Sequence, residues 1–255
     1  LNTAKDISQL YNSLFELEAK FKKEAVYPIH KQLHFPEHFT DIYEFLISKV
    51  DCNGKTILDA GCGVGFGSFL FAKNQAKQVT GISVSKKEIE RANAMKTKLK
   101  MENCQFQLAS FDEISTPFDL IFCVESLKHS LDIQKSFATL LNALTINGQL
   151  IIVDDFFDGH ENTFSQQLKE NWHLNSLISE KDIQIDGANF RISSEDLTPL
   201  MRLKSPLKIH IQMLFFRFFK KNSRYKKLFK GGILLDYLYT KKQMKYKLMI
   251  ITKIQ

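Results

Sequence analysis

Long apolar runs are missing from this chain of 255 residues. No stretch reaches the roughly 18 uncharged apolar residues of a membrane-spanning helix, so none is expected. Leu1 to Lys23 is mixed and charged, without the apolar centre of a secretion signal. Cysteine is scarce as well. Cys52, Cys62, Cys104 and Cys123 show neither metal-ligand spacing nor a secreted disulfide framework. A metal centre is therefore not expected, and a reducing cytoplasm is, with peripheral residence at a membrane left open. Acids are nearly absent from the C-terminal part: residues 200–255 hold 15 Lys/Arg against one acid, Asp236, whereas the preceding residues hold 20 against 27. No internal repeat or low-complexity linker breaks the chain. Its 44% hydrophobic content suffices for one large α/β core carrying a cap.

Two phosphate-binding patterns are also missing, at the place where they would be sought. Thr56-Ile57-Leu58-Asp59-Ala60-Gly61-Cys62-Gly63-Val64-Gly65-Phe66-Gly67 reads as a buried strand that ends in a tight turn opening a helix. A dinucleotide fingerprint requires Gly-x-Gly-x-x-Gly. From Gly61 its sixth position is Phe66, and from Gly63 it is Ser68, so both registers fail. No Gly-Lys-Ser/Thr follows, which excludes a P-loop. What remains is Asp-x-Gly-x-Gly-x-Gly, suited to a ligand with no phosphate at the turn, or to a turn with only a structural role.

Downstream, the hydrophobic pattern alternates between strands and helices. Residues 4–23 read as an amphipathic helix with Ile7, Leu10, Tyr11, Leu14, Phe15, Leu17 and Phe21 on one face. A loop containing Pro28 and Pro36 precedes a second helix, from about Glu37 to Val50. Strands are predicted at Thr56–Leu58, Gln78–Val84, Cys104–Leu108, Phe118–Cys123 and Gln149–Val153. Helices are predicted at Gly67–Asn74, Lys86–Lys100 and from near Leu131. This order implies a doubly wound, mostly parallel sheet. Beyond Asp155 the pattern loosens: a helix at Thr163–Ser179, a strand at Asn189–Ser193, helical segments over Pro199–Tyr225 broken near Pro206, and a last strand at Tyr246–Ile254. Gly231-Gly232 is the one evident hinge.

Four ordered segments together carry a resemblance. The glycine run resembles motif I of the class I S-adenosylmethionine-dependent methyltransferases. Val79-Thr80-Gly81-Ile82-Ser83-Val84-Ser85 resembles the second strand of the branch containing small-molecule and natural-product O- and C-methyltransferases, tocopherol methyltransferases and cyclopropane-fatty-acid synthases. Phe106 to Asp112 is similar to that family's adenine-binding turn. Phe118 to His129 and Leu144 to Asp155 are similar to its fourth and fifth strand regions, with Ile146 and Asn147 where Pro and Gly are usual. The resemblance runs from about Tyr11 to the C-terminus.

It implies a Rossmann-like, seven-stranded, mostly parallel sheet with helices on both faces. A helical cap (1–50), a cofactor-binding core (51–195), a basic helical lid (196–244) and the final strand (245–255) divide the chain. It further implies S-adenosylmethionine as methyl donor, with S-adenosylhomocysteine as product, held by Tyr11, Asp59, Gly61, Cys62, Gly63, Gly65, Ser83, Glu88, Ser110, Phe111 and Val124. Ser83 stands where an acid commonly holds the ribose hydroxyls; Glu88, five residues on, supplies a carboxylate. Tyr11 faces the methionine carboxylate, and Phe111 covers the adenine. His129 is the expected general base for a hydroxyl acceptor, oriented by Asp154.

The expected reaction is O-methylation of a small acceptor, lipophilic or carrier-bound. The alternatives are C-methylation or cyclopropanation of a lipid at an anionic membrane, and a catalytically silent binding partner. Pro206 to Lys221 sets Leu207, Ile211, Leu214, Phe215 and Phe218 at helical spacing beside many basic residues. That region suits a greasy acceptor below it and an anionic lipid or acidic carrier protein outside. A homodimer is compatible with the sequence. Nucleic acid is not expected, because no RNA-reading module accompanies the charge.

Overall fold

A computed structural model describes residues 2–3, 6–9, 11–12, 31, 33–35, 39, 41–183, 185, 187–218 and 224–255; at 216–218 and 224–225 it describes the backbone only. The strands are β1 Thr56–Ala60, β2 Gln78–Ser83, β3 Cys104–Leu108, β4 Phe118–Val124, β5 Leu144–Phe157, β6 Phe190–Asp196 and β7 Met244–Lys253. The helices are α1 Ile42–Lys49, α2 Phe66–Lys73, α3 Lys86–Leu99, α4 Ile133–Asn142, α5 Thr163–Trp172, α6 Pro206–Phe218 and α7 Arg224–Thr240. Residues 6–9 and 11–12 are helical. The predicted positions at Leu10, Leu14, Phe15, Leu17, Phe21, Pro28 and Pro36 lie outside the described residues.

One seven-stranded sheet runs in the order β3-β2-β1-β4-β5-β7-β6. The first five strands are parallel, and β7 runs antiparallel between β5 and β6. Alternation along the central strands assigns each side chain to a face. Ile57, Phe122 and Val153 join one apolar cluster with α1, α2, α3, α5 and α7; Leu58, Cys123 and Ile152 join the other with α4. With both faces covered, β1 and β4 read as nearly unbroken apolar runs, as parallel strands do. The crossovers leave the carboxyl ends of β1, β2, β4 and β5 opening together on one side of the sheet.

Helix starts follow capping chemistry. Asp41 accepts from the N–H groups of Tyr43 and Glu44, Ser85 from Glu88, and Asp132 from Lys135. β5 is longer than predicted because it pairs with β4 from Phe118↔Leu144 and with β7 as far as Phe157↔Met244. Asn147 takes φ +62°, a conformation its short polar side chain tolerates.

Gly231-Gly232 is not a hinge. It lies inside α7, where a Cβ on Gly231 would stand 2.2 Å from the Trp172 indole nitrogen. The glycine makes room for the indole, which donates to the Leu228 carbonyl at 3.0 Å. Trp172 thereby fastens α5 to α7. Among the described residues no helix is long and apolar enough to cross a membrane.

Candidate active site

The glycine turn is built from left-handed backbone, with φ +88° at Gly61, +52° at Gly63 and +88° at Gly65. Side chains with a Cβ are strained in that region. Two N–H groups, of Gly61 and Cys62, donate to the Ile82 carbonyl at 2.9 Å and tie the turn to β2. The glycines differ in what they face. A Cβ at Gly61 would meet Ser126 at 2.4 Å, one at Gly65 would meet Phe106 at 2.8 Å, and one at Gly67 would meet Tyr43 at 2.2 Å. At Gly63 nothing lies within 4 Å. Internal packing therefore accounts for three of these glycines, and Gly63 alone presents bare backbone to open space.

Asp59 ends β1 fully buried, accepting from the Ser68 hydroxyl at 2.6 Å. Burial pushes its carboxyl up to about 6, and the Ser68 bonds offset only part of that. Cys62 is buried, and burial raises its thiol well above the usual range. At the end of β2 the Ser83 hydroxyl donates to the Glu88 carboxylate at 2.6 Å and accepts from the Ser85 N–H at 3.0 Å. Ser85 in turn donates to Asn12 at 2.7 Å, joining the N-terminal helix to this edge. Ser83 and Glu88 thus form one polar unit on the strand next to the turn.

Ser110 follows β3 and opens a short turn through its N–H to the Glu113 carboxylate at 2.6 Å. Phe111 is half-buried against the cluster that includes α4. No described contact joins Ser110 or Phe111 to Ser83 or Glu88. Val124 is buried at the end of β4.

Past β4 the arrangement departs from the expected His–Asp pairing. Asp154 is fully buried, yet its carboxylate holds the Lys128 ammonium at 3.0 Å and the N–H groups of Lys128 and Asp155 at 3.2 and 2.8 Å. No hydrogen bond joins it to His129. The physical reason is Lys128: a buried ammonium must be paired, and it draws the nearest acids. The same ammonium reaches Asp155 at 2.7 Å and Glu125 at 3.9 Å. Lys31 approaches from outside the sheet, 2.6 Å from Asp155 and 3.8 Å from Glu125. The Tyr239 hydroxyl donates to Asp155, and that of Tyr246 donates to Glu125 at 2.8 Å. Glu125 itself sits at φ +52°, strained for a residue with a Cβ.

Two ammonium groups, three carboxylates and two phenols therefore meet at the ends of β4 and β5. Burial alone would lower the Lys128 ammonium, but Asp154, Asp155 and Glu125 outweigh it and hold it well above the ordinary lysine range. Burial raises Asp154, whereas Lys128 and Lys31 overcome burial at Asp155 and hold it low.

His129 stands beside this network without joining it. Its ring is half-buried, its buried Nδ1 has no hydrogen-bond partner, and the Tyr11 ring meets it edge-on at 5.2 Å. Burial first, and the Lys128 charge second, depress its pKa to about 3. The imidazole is therefore neutral across the physiological range, with a ring nitrogen open to a proton. The Tyr11 ring packs on His129, and burial raises its hydroxyl far above the usual range.

Sequence reasoning missed Lys31, Lys128, Asp155 as the central acid, Tyr239 and Tyr246. One signal was present: a lysine inside the apolar approach to His129, with the paired acids Asp154-Asp155 directly after the predicted neighbouring strand Gln149–Val153. No group of three or more His, Cys, Asp or Glu suited to a metal occurs among the described residues.

Strand order, the open backbone at Gly63 and the Ser83–Glu88 pair at the adjoining strand end define a class I S-adenosylmethionine-dependent methyltransferase. Residues 51–205 match the family described as methyltransferase domain, more than half of the chain, and the protein belongs to that family. An O-methyltransferase of Aspergillus sclerotiorum, resE, is 32% identical over 111 residues, covering 42% of this chain and 42% of that protein. The chain thus spans about two-fifths of the length of the curated relatives it matches. Among solved structures, the [4+2]-cyclase SpnF superposes with TM-score 0.74 at 17% identity, over 98% of this chain and 96% of that one. The geranyl diphosphate C-methyltransferase of Streptomyces coelicolor A3(2) superposes with TM-score 0.73 at 15% identity, over 99% and 97%. Both likenesses concern the fold.

The residues fit the family's cofactor. Gly63 leaves a cradle that a side chain would enter, and Ser83 with Glu88 offers a carboxylate matched to a vicinal diol. S-adenosylmethionine, when bound, supplies a methyl group activated on a sulfonium.

Proposed function

We propose that this protein transfers a methyl group from S-adenosylmethionine to an oxygen of a small acceptor, with His129 taking the acceptor's proton. The observation that carries this reading is the imidazole itself: it stands just past β4 with an unpartnered Nδ1. Glu88, with Ser83, holds the ribose hydroxyls; the backbone at Gly61, Cys62 and Gly63, with Asp59 and Val124, lines the amino-acid end; Ser110 and Phe111 take the adenine. Gly65 acts through packing on Phe106. Tyr11 fixes the His129 ring. Asp154 serves the site indirectly, by neutralising Lys128.

This assignment asks the buried network to exclude water and hold a fixed field around the reacting oxygen, which is the protein's main task when the leaving group is already good. The acceptor is a small, lipophilic or carrier-bound molecule. The resE protein supports this as a named O-methyltransferase, and the geranyl diphosphate enzyme supports a lipophilic acceptor on this fold.

The test is His129→Ala. Loss of general-base help lowers turnover by roughly 10²–10⁴-fold, while affinity for S-adenosylhomocysteine stays within about twofold. Wild-type turnover in that variant would remove His129 from the reaction and favour transfer to carbon, where no hydroxyl proton is lost.

A further inference from the structure

Helix α6 carries two apolar faces, one packed into the core and one exposed. Ile209 is 1% exposed and Met213 packs on the cluster shared with α7. On the opposite side Leu207 is 70% exposed, Ile211 57%, Leu214 41% and Phe215 60%. At helical pitch these four positions fall within one sector of about 100°. The stripe is solvent-exposed, whereas Ile209 and Met213 on the other side face the core. Single exposed apolar residues are ordinary, but a contiguous helical stripe marks an interaction surface.

Its borders are basic. Arg202, Lys208 and His210 are exposed beside it, and Lys204 pairs with Asp236, the one acid among residues 200–255, at 2.6 Å. Lys226, Lys227 and Lys230 follow in α7, next to the exposed Phe229. An apolar stripe between cations suits a surface that is greasy inside and anionic at its rim. A second copy of this chain brings the same cations to the contact and is repelled. An acidic protein matches the charge but lacks a continuous hydrocarbon layer for four neighbouring side chains.

We infer that α6 lies in the plane of an anionic lipid bilayer, with Leu207, Ile211, Leu214 and Phe215 entering the acyl boundary and the flanking cations at the headgroups. The inference is independent of the reaction proposed above, since none of these residues belongs to the site at β1, β2, β4 and β5.

Vesicle flotation tests it. The full chain is expected to float with phosphatidylcholine vesicles containing phosphatidylglycerol at least ten-fold more than with phosphatidylcholine alone, and to be released in about 0.5 M NaCl, where charge is screened within a few ångströms. The triple variant L207S/I211S/L214S loses at least ten-fold in flotation at unchanged melting temperature, because its positions are solvent-exposed. Equal flotation of variant and wild type would overturn the inference. So would failure of the wild type to float on anionic vesicles, or a dimer in sedimentation velocity that the triple variant dissolves.

Discussion

Replacing Lys128 by Met isolates the charge at the centre of the site, because Met keeps most of the apolar stem beside Trp172 while removing the ammonium. The three carboxylates then fare differently. Asp155 retains Lys31 at 2.6 Å and the Tyr239 hydroxyl. Glu125 retains the Lys31 N–H at 2.9 Å and the Tyr246 hydroxyl at 2.8 Å. Asp154 is left with two backbone N–H groups and no cation. Stranding one partner of a buried pair costs about 3–5 kcal/mol, a large share of the roughly 5–15 kcal/mol that holds a domain folded. K128M is therefore expected to lose that much in urea denaturation at pH 8, and K128M/D154N to recover at least about 2 kcal/mol of it. The pH dependence has a definite sign. Asp154 already titrates above its ordinary value through burial, and without Lys128 it rises further. A carboxyl raised above its unfolded pKa destabilises at pH values above the folded one, and the penalty fades as falling pH protonates it. The gap between K128M and wild type thus narrows from pH 8 to pH 5.5. A cost below about 1 kcal/mol at pH 8, or no rescue by Asp154→Asn, would show that the Asp154 charge does not depend on Lys128.

Three further outcomes follow from the same geometry. His129, depressed to about 3 by burial and Lys128, binds no proton where the unfolded imidazole does, so wild-type stability falls with pH below about 6.5, by up to about 1.4 kcal/mol per unit. Asp59, raised to about 6, contributes with the opposite sign, and comparing urea midpoints of wild type and His129→Leu from pH 7 to 5 isolates the imidazole; equal slopes would contradict its burial as a neutral base. Gly67→Ala places a Cβ 2.2 Å from Tyr43 and is expected to cost about 1–3 kcal/mol, read as a lower melting temperature. Gly63→Ala meets no neighbour and costs about 1–2 kcal/mol through its left-handed φ, but removes the stabilisation that S-adenosylhomocysteine confers in a thermal shift.

Most of the sheet was legible because it is built by local rules. β1 and β4 are short, largely apolar runs ended by turn residues, and β3 was read at Cys104–Leu108, where it stands. Ser83 and Glu88 were legible as a pair through the family resemblance, which implies a ribose-holding residue five positions after the strand end, and their side chains do meet at 2.6 Å. What escaped was set by contacts distant in sequence. Gly231 reads as a hinge until Trp172, 59 residues earlier, is found pressed against it. Asp154 reads as a partner for His129 until Lys128 is seen to be buried, and burial of one lysine is a property of the packed ends of β4, β5 and β7. The exposed stripe of α6 was visible as a pattern, but the side facing water was decided by Ile209 packing inward.

The cofactor site proposed at the carboxyl ends of β1 and β2 is separate from the proton acceptor proposed past β4. Titration calorimetry of S-adenosylhomocysteine into wild type, Glu88→Ala and His129→Ala tests both halves in one measurement. Wild type is expected to bind, His129→Ala to keep its affinity within about twofold, and Glu88→Ala to lose at least about ten-fold, the worth of one or two hydrogen bonds to a charged group. Absence of binding heat in the wild type, or an unchanged affinity in Glu88→Ala, would contradict the proposed site.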